Sequence, residues 1–379
     1  MYPHSRWHRS LFRIGAFERL PRPGVPVLLF GLALVSTAVA SCVQTKDLAE
    51  QAGPDLNSVQ HQLAGAPKAA ITNGIVSATI MLPDAQRGFY RATRFDWSGM
   101  ISSLKMGETE YYGPWFDGTS ETVRDYEFQN GAIIAARNTA ALGPAESFDA
   151  VTPSGWEAVP AGGGFLKIGV GVLRKPEDQP AYSAFRPYDI IVPGEWSVST
   201  ERSQVSFTHE IEDPVSGYGY SYTKSVILVP GRPEMRIEHV LTNTGRNQIS
   251  TSVFNHNFLT LGAGPDRAGL TIRTPYAIST TRVPAADAAE LAGNSLVYRR
   301  GLADGEVVSL PVTGYGSGTA DSVISVDVAS GRGVTIAGDR PLSRVFFWSI
   351  RSTLAVEPYV RVEVQPGETT RWSWLYRYR

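Results

Sequence analysis

Hydrophobic and polar positions alternate along most of the chain after residue 70. Residues 204–210 follow this pattern, and so do residues 226–229 and 235–241. When the pattern repeats every two residues, successive side chains of an extended strand point alternately toward the core and toward water. A Pro-Gly-Arg-Pro turn at residues 230–233 separates two of these runs, and the Asn73-Gly74 dipeptide between two β-prone runs is typical of a hairpin. The pattern predicts strands joined by short turns.

Helical periodicity is weak by comparison. Among runs of ten or more residues, none has a convincing period of 3.6, and Ala285 to Leu291 is the best short helix candidate. Many strands with short turns favour an all-β fold, a large antiparallel sandwich. We therefore predict one β-sandwich domain over residues 70–379, without a second domain.

The N-terminal segment has the pattern of an export signal. Several arginines precede the apolar residues 25–40, a run too short to span a bilayer comfortably. Val39-Ala40-Ser41-Cys42 resembles the lipobox of bacterial lipoproteins, in which the chain is cut before a cysteine that then carries lipid. Cys42 is the only cysteine, so a structural disulfide within the chain is excluded.

These features predict a signal peptide at residues 1–41, a lipid anchor at Cys42 and a polar tether over residues 42–69. The alternative is an ordinary signal peptide cut after Ala40. Either form predicts an exported protein on the periplasmic side of a bacterial membrane, and the lipidated form would bind that membrane through Cys42.

Charge and composition narrow the classes of partner. The chain has 35 Lys and Arg against 36 Asp and Glu, so it lacks the positive field of a nucleic-acid-binding protein. It also lacks a glycine-rich phosphate loop, so neither a nucleotide nor a nucleic acid is expected as a partner. Aromatic residues make up 10% of the chain, which suits stacking on sugar rings and suits a β core equally well.

Two titratable residues interrupt apolar runs. His256 lies between Asn255 and Asn257 in the β-prone segment 253–261, and Glu357 interrupts the later apolar stretch. A buried polar group without partners costs about 1–3 kcal/mol, so packing alone does not favour such residues. Histidine also exchanges protons near neutral pH. We take His256 and Glu357 as the candidate catalytic acid and base, the alternatives being a hydrogen-bonded core histidine and a salt-bridged carboxylate.

The order of several motifs resembles the galactose mutarotase (aldose 1-epimerase) superfamily from about residue 73 to the end of the chain. The matching motifs are Leu-Thr-Asn-Thr-Gly at 241–245, Asn-His-Asn-Phe at 255–258, Glu357, and Pro-Gly-Glu at 366–368. The resemblance implies a β-supersandwich with a sugar site on one concave face. It also implies that Glu357 removes the anomeric proton while His256, as an imidazolium, protonates the ring oxygen. We expect the two groups to lie across a sugar ring, roughly 5–9 Å apart by analogy with paired glycosidase carboxylates.

One departure from the superfamily concerns substrate. Galactose mutarotases have a second histidine in a Leu-His-Gly-Gly segment, and this chain has no such segment. Of the other histidines downstream of Cys42, His61 falls in the predicted tether, and we expect His209 and His239 at the surface or between strands. The difference argues against free galactose or glucose as the substrate.

Further residues are candidates for contacting the sugar. Segment 90–99 combines two arginines, whose forked groups match carboxylates and paired hydroxyls, with an indole that stacks on a pyranose. An intrastrand pair between Arg94 and Asp96 is the alternative interpretation. A second aromatic loop contains Trp115, and its Gly-Pro-Trp-Phe sequence resembles a segment of hexose-phosphate mutarotases. The predicted substrate-binding residues are Arg91, Arg94, Asp96, Trp97, Trp115, Glu146, Asn255 and Asn257.

Glu146, interpreted as a loop carboxylate, could serve as an extra acid, base or cation ligand. The spacing of His, Cys, Asp and Glu does not call for a metal, and we predict no cofactor. The sequence thus favours an exported carbohydrate-binding enzyme that epimerises a sugar at the anomeric or a neighbouring carbon. A lyase or hydrolase acting on oligosaccharides, and a carbohydrate-binding lipoprotein without catalytic activity, are the alternatives.

Overall fold

The structure is a computed structural model that describes residues 57–148 and 152–379. The predicted signal peptide, Cys42 and the tether before residue 57 lie outside these residues, so the lipid anchor stays a prediction. In the two described ranges, no helix is both long and apolar enough to cross a membrane.

The described residues form 25 strands, one α-helix and two short 3-10 helices, the latter at Gly264–Arg267 and Thr319–Asp321. The helix is α1 (Val59–Gly65). The strands are β1 (Lys68–Thr72), β2 (Val76–Met81), β3 (Ile101–Met106), β4 (Thr109–Tyr112), β5 (Gly118–Ser120), β6 (Tyr126–Gln129), β7 (Ala132–Ala136), β8 (Ala145–Ser147), β9 (Gly164–Lys167), β10 (Gly171–Arg174), β11 (Ile190–Val192), β12 (Glu195–Thr200), β13 (Gln204–Asp213), β14 (Tyr218–Leu228), β15 (Glu234–Asn243), β16 (Ile249–His256), β17 (Thr271–Arg273), β18 (Ala289–Ala292), β19 (Ser295–Tyr298), β20 (Val308–Val312), β21 (Val323–Asp327), β22 (Gly333–Gly338), β23 (Arg344–Ile350), β24 (Thr353–Val364) and β25 (Thr369–Tyr378).

Two sheets dominate the fold. One has ten strands in the order β12-β13-β14-β15-β25-β22-β21-β17-β19-β18, and the other has five in the order β20-β23-β24-β16-β8. The other strands form one four-stranded sheet and two three-stranded sheets. Strand pairs throughout both large sheets are antiparallel, which confirms the predicted all-β antiparallel class. The predicted hairpin is also present, because β1 and β2 pair around Gly74, whose φ of +89° suits glycine.

Each face of the five-stranded sheet packs against an apolar core. Val253 and Val360 on its inner face pack in the same core as Tyr222 and Ile237 of the ten-stranded sheet. Its outer face, which includes Phe254, packs against a second core of aromatic residues. Burying one large apolar side chain contributes about 1.5–3 kcal/mol, so the two cores fix the position of this sheet.

Two sequence-based expectations differ from the structure. Residues 285–291 do not form the predicted helix; they make a turn that leads into β18, where backbone pairing with β19 outweighs the weak local helical pattern. The described elements also begin before residue 70, because α1 occupies Val59–Gly65 and β1 starts at Lys68.

Candidate functional site

Two neighbouring strands place the candidate acid and base on the outer face of the five-stranded sheet. β16 and β24 pair with Phe254 opposite Tyr359, and two residues further along this antiparallel register His256 lies opposite Glu357. The side chains of such cross-strand neighbours contact each other. Nε2 of His256 is 3.4 Å from Oε1 of Glu357, and 8% of each side chain is exposed. The structure therefore brings the two residues together, closer than the predicted 5–9 Å.

Burial shifts the two pKa values in opposite directions. It raises the pKa of Glu357 to about 7, although the hydrogen bond from Tyr359 and nearby arginine charges act against this shift. Burial lowers the pKa of His256 well below its usual range, and the positive charge of Arg94 adds to the effect. Each group favours its neutral form because the interior solvates charge poorly. The predicted starting state with an imidazolium and a carboxylate is therefore disfavoured relative to the neutral pair.

Aromatic rings hold the two residues in place. The imidazole of His256 stacks on Phe258 with a centroid distance of 3.7 Å, and Phe258 stacks on Trp115 at 5.2 Å. The hydroxyl of Tyr359 donates a hydrogen bond of 2.9 Å to Oε2 of Glu357. Nδ1 of His256 is buried and has no hydrogen-bond partner among the described residues.

β23 adds aromatic surface to the same face. Phe346 lies directly across from Glu357, and the ring of Trp348 is 5.5 Å from that of His256. Both rings are partly exposed. Sequence analysis missed Tyr359 and these two residues. Tyr359 could have been found by alternation, since it lies two positions after Glu357, but the β23 residues are neighbours only through strand pairing.

Among the predicted substrate-binding residues, Arg94 affects the His256–Glu357 pair electrostatically. Its positive charge lowers the pKa of both residues. Its guanidinium lies 4.6 Å from the ring centroid of Phe185 and 3.8 Å from the carboxylate of Asp125. Nε of Arg94 is buried without a hydrogen-bond partner among the described residues.

Glu146 lies elsewhere, and its interpretation as a loop carboxylate is wrong. It is the middle residue of β8 and pairs with Asn255, whose side chain points to the inner face, away from His256. Its Oε2 is 2.7 Å from Nζ of Lys224, and both side chains are fully buried. Burial alone would raise the pKa of Glu146, but the charges of His239 and Lys224 lower it to about 2. Glu146 is therefore a structural anion and not an extra acid or base beside His256.

Asp96 belongs to the same inner-face cluster. Its Oδ2 lies 3.3 Å from Nζ of Lys224 and accepts a hydrogen bond of 3.2 Å from Tyr222. The alternative pair with Arg94 does not form, since Arg94 faces Asp125. The predicted sugar-contacting role of Asp96 is not supported, because the side chain is enclosed between the sheets.

His209 and His239 do not lie at the surface but between strands, the other position expected for them, since His209 bonds Tyr220 of β14 and His239 bonds the Trp372 carbonyl of β25. Both occupy core positions of β13 and β15, in register with apolar neighbours such as Phe207 and Ile237. Nε2 of His239 is 2.9 Å from Glu146. His209 lies between the Pro193 carbonyl and the Tyr220 hydroxyl, and burial lowers its pKa to about 4.

Four other predicted site residues are buried and have structural roles. Trp97 and Trp115 each donate their indole N–H to a main-chain carbonyl at 2.8 Å. Asn255 and Asn257 both bond the hydroxyl of Tyr376. That hydroxyl accepts a hydrogen bond of 2.9 Å from Nδ2 of Asn255 and donates one of 3.0 Å to Oδ1 of Asn257. The bond between Asn255 of β16 and Tyr376 of β25 joins the two large sheets.

Arg91 lies in a separate cleft of about 820 Å³, which Arg124 and Phe185 also line and which does not reach His256 or Glu357. As for metals, the described residues contain no group of three or more His, Cys, Asp or Glu side chains arranged to hold an ion.

Solved structures share this fold. A galactose mutarotase related enzyme from Lactobacillus acidophilus matches with a TM-score of 0.50 and 13% identity over 83% of this chain and 97% of that chain. A galactose mutarotase-like protein from Lactobacillus casei matches with a TM-score of 0.46 and 14% identity over 83% and 100%. An aldose epimerase homologue from C. elegans matches with a TM-score of 0.48 and 12% identity over 83% and 99%.

No family model matches the chain, and no curated protein matches its sequence. The likeness to the Lactobacillus acidophilus enzyme confirms the predicted galactose mutarotase-like fold. At this level of identity the likeness concerns the fold, and the chemistry has to be argued from the site.

Proposed function

We propose that this protein binds a carbohydrate and interconverts its anomers through proton transfer by His256 and Glu357. The observation that carries the proposal is the contact of 3.4 Å between two titratable groups whose pKa values are shifted in opposite directions by burial. Pairs of groups with pKa values set by their environment are typical of acid–base catalysis. Both side chains retain some exposed surface on a sheet face that also carries Phe346 and Trp348, whose rings suit the apolar face of a sugar.

The short separation suits this chemistry. The anomeric hydroxyl and the ring oxygen of an aldose are bonded to the same carbon, so two groups in contact with each other can reach both oxygens from one edge of the sugar. The wider spacing expected from paired glycosidase carboxylates serves a different need, since those enzymes place water or a covalent bond between their carboxylates.

The directions of the two pKa shifts support Glu357 as the starting acid and His256 as the starting base. Protonated Glu357 donates its proton to the ring oxygen while neutral His256 accepts the proton of the anomeric hydroxyl, and the ring opens to the aldehyde. After rotation about the C1–C2 bond, the imidazolium returns a proton to the anomeric oxygen. The hydroxyl that formed from the ring oxygen attacks the aldehyde carbon again and gives its proton back to the Glu357 carboxylate. The cycle leaves the protein unchanged, and it reverses the roles that the family resemblance implied.

Anomer exchange measured by NMR on a panel of aldoses, uronic acids and short oligosaccharides tests the proposal. We expect His256→Ala and Glu357→Gln each to lower turnover by about 10²-fold or more, because proton transfer is the task of both groups. Glu363→Gln is the matched control, since Glu363 lies on the same strand with 49% of its side chain exposed and pairs with Arg361.

Two outcomes would contradict the proposal. Binding of a sugar without any exchange would favour a carbohydrate-binding protein without catalytic activity. Exchange that survives both substitutions would show that other residues transfer the protons.

A further inference from the structure

The cleft that contains Arg91 has the size of a ligand site. Its volume is about 820 Å³, within the range of roughly 300–1,000 Å³ that is common for small-molecule pockets. The walls come from α1 and from residues 87–93, 119–124, 136–140 and 185–190. We call it the arginine cleft.

Positive charge predominates in the arginine cleft. Four arginines line it, against the two carboxylates of Glu121 and Asp189. Arg137 is bound to Glu121 at 2.9 Å, and Arg87 lies 3.8 Å from Asp84 outside the lining. The remaining two, Arg91 and Arg124, are exposed and have no salt bridge to a carboxylate in the described residues. Two guanidinium groups therefore face the cleft without a bound anion of the protein's own.

The floor of the cleft is held rigidly. Oδ1 of Asn138 accepts a hydrogen bond of 3.0 Å from the main-chain N–H of Thr93, and its Nδ2 donates one of 2.8 Å to Ala184. The hydroxyl of Tyr90 donates to the Asn138 carbonyl at 2.8 Å. These bonds tie two segments of the lining to each other and to Ala184, the residue before Phe185, so a ligand would meet a site that needs little ordering.

Phe185 and Arg94 relate the arginine cleft to the His256–Glu357 pair. Phe185 lines the cleft with 36% of its surface exposed, and Arg94 stacks on it at 4.6 Å. The charge of Arg94 in turn acts on His256 and Glu357. Phe185 and Arg94 therefore connect the wall of the cleft to the surroundings of the pair through direct contacts, although the cleft itself does not reach the pair.

We infer that the arginine cleft binds the anionic group of an acidic oligosaccharide through Arg91 and Arg124. The guanidinium fork matches a carboxylate or a sulfate with two parallel N–H···O bonds, and such charge-assisted bonds are stronger than neutral ones. The inference deepens the proposed function by adding the charge class of the sugar, and it rests on that proposal for the sugar itself.

Titration calorimetry with matched ligands tests this inference. Trigalacturonate and its methyl ester have the same backbone and differ in charge, and a sulfated disaccharide distinguishes sulfate from carboxylate as the preferred anion. We expect the acid to bind roughly tenfold or more tightly than the ester, with affinity that falls as salt is added. Arg91→Gln and Arg124→Gln should each weaken binding of the acid by roughly 3–10-fold and leave the ester unaffected.

Arg273→Gln is the control, because Arg273 is exposed on β17 and lies outside the cleft lining. Equal binding of the acid and the ester, no binding of any charged sugar, or unchanged affinity in the Arg91 and Arg124 variants would overturn the inference. Its failure is distinguishable from failure of the proposed function. Tight, arginine-dependent binding of trigalacturonate without anomer exchange supports the cleft and refutes the catalytic proposal. Anomer exchange of neutral sugars, without preferential binding of charged ones, supports the catalytic proposal and refutes the inference about the cleft.

Discussion

Replacing one member of the His256–Glu357 pair should reveal a pH dependence of stability that the wild-type pair conceals. The folded-state pKa of Glu357 is raised from 4.5 to about 7. Its stabilising contribution is therefore complete below pH 4.5 and lost as pH rises through 7. The folded-state pKa of His256 lies well below 6.5, so its contribution is complete above pH 6.5 and lost as pH falls. Between these limits the folded and unfolded states each hold about one proton on the pair, and the two effects cancel.

Single substitutions remove one half of this cancellation. With Glu357→Gln, the unfolded state still binds a proton at His256 that the folded state excludes, so the free energy of unfolding should increase by about 2 kcal/mol between pH 5 and 7 relative to wild type. With His256→Gln, the folded state keeps the Glu357 proton that the unfolded state has lost. The free energy of unfolding should then decrease by about 2 kcal/mol over the same interval.

Urea denaturation followed by tryptophan fluorescence at both pH values measures these changes. Each variant is compared with itself at the two pH values, so a change in the free energy of unfolding that is the same at both values cancels. The double variant should follow the wild type, and Glu363→Gln, an exposed change on the same strand, should do so as well. If both single variants run parallel to wild type from pH 5 to 7, the pKa of Glu357 is not raised in the folded protein and the reasoning fails.

Two further predictions concern neighbouring residues. Tyr359→Phe removes the hydrogen bond that lowers the pKa of Glu357; that pKa should rise above about 7, and the alkaline limb of the pH profile of kcat/KM should move to higher pH. Lys224→Met leaves two buried carboxylates without their shared cation and should lower the free energy of unfolding by about 3–5 kcal/mol in denaturation experiments. Lys105→Met, at the largely exposed pair with Glu110, should cost less than about 1 kcal/mol.

The fold was predictable because its signals are local. Alternation along residues 204–210 and 235–241, and the Asn73-Gly74 turn, indicate strands and hairpins without knowledge of their partners, and β13, β15 and the β1–β2 pair are present. The same rule fails where the local pattern is short. Residues 285–291 are compatible with a helix or a strand in isolation, and the pairing of β18 with β19 decides between them.

The candidate site was predictable only in part, because a titratable residue marked by its sequence context can be a site residue or a structural one. His256 and Glu357 each interrupt an apolar run, and Glu146 follows a Gly-Pro pair that indicates a loop. The first two lie on the outer face of the five-stranded sheet, where they contact each other and keep some exposed surface. Glu146 lies on the inner face, where Lys224 from a distant strand neutralises it.

Which face a residue occupies depends on strand pairing and register, and a shift of one residue would exchange the faces. The register that aligns β16 with β24 places His256 opposite Glu357, and the register of β8 turns Glu146 inward. The pKa values follow from the same geometry. Burial beside His256 raises the pKa of Glu357, whereas the cation of Lys224 helps to lower the pKa of the equally buried Glu146. Sheet register therefore decides which titratable residues meet as the candidate pair and which one is a structural anion, and the spacing of residues along the chain does not contain that information.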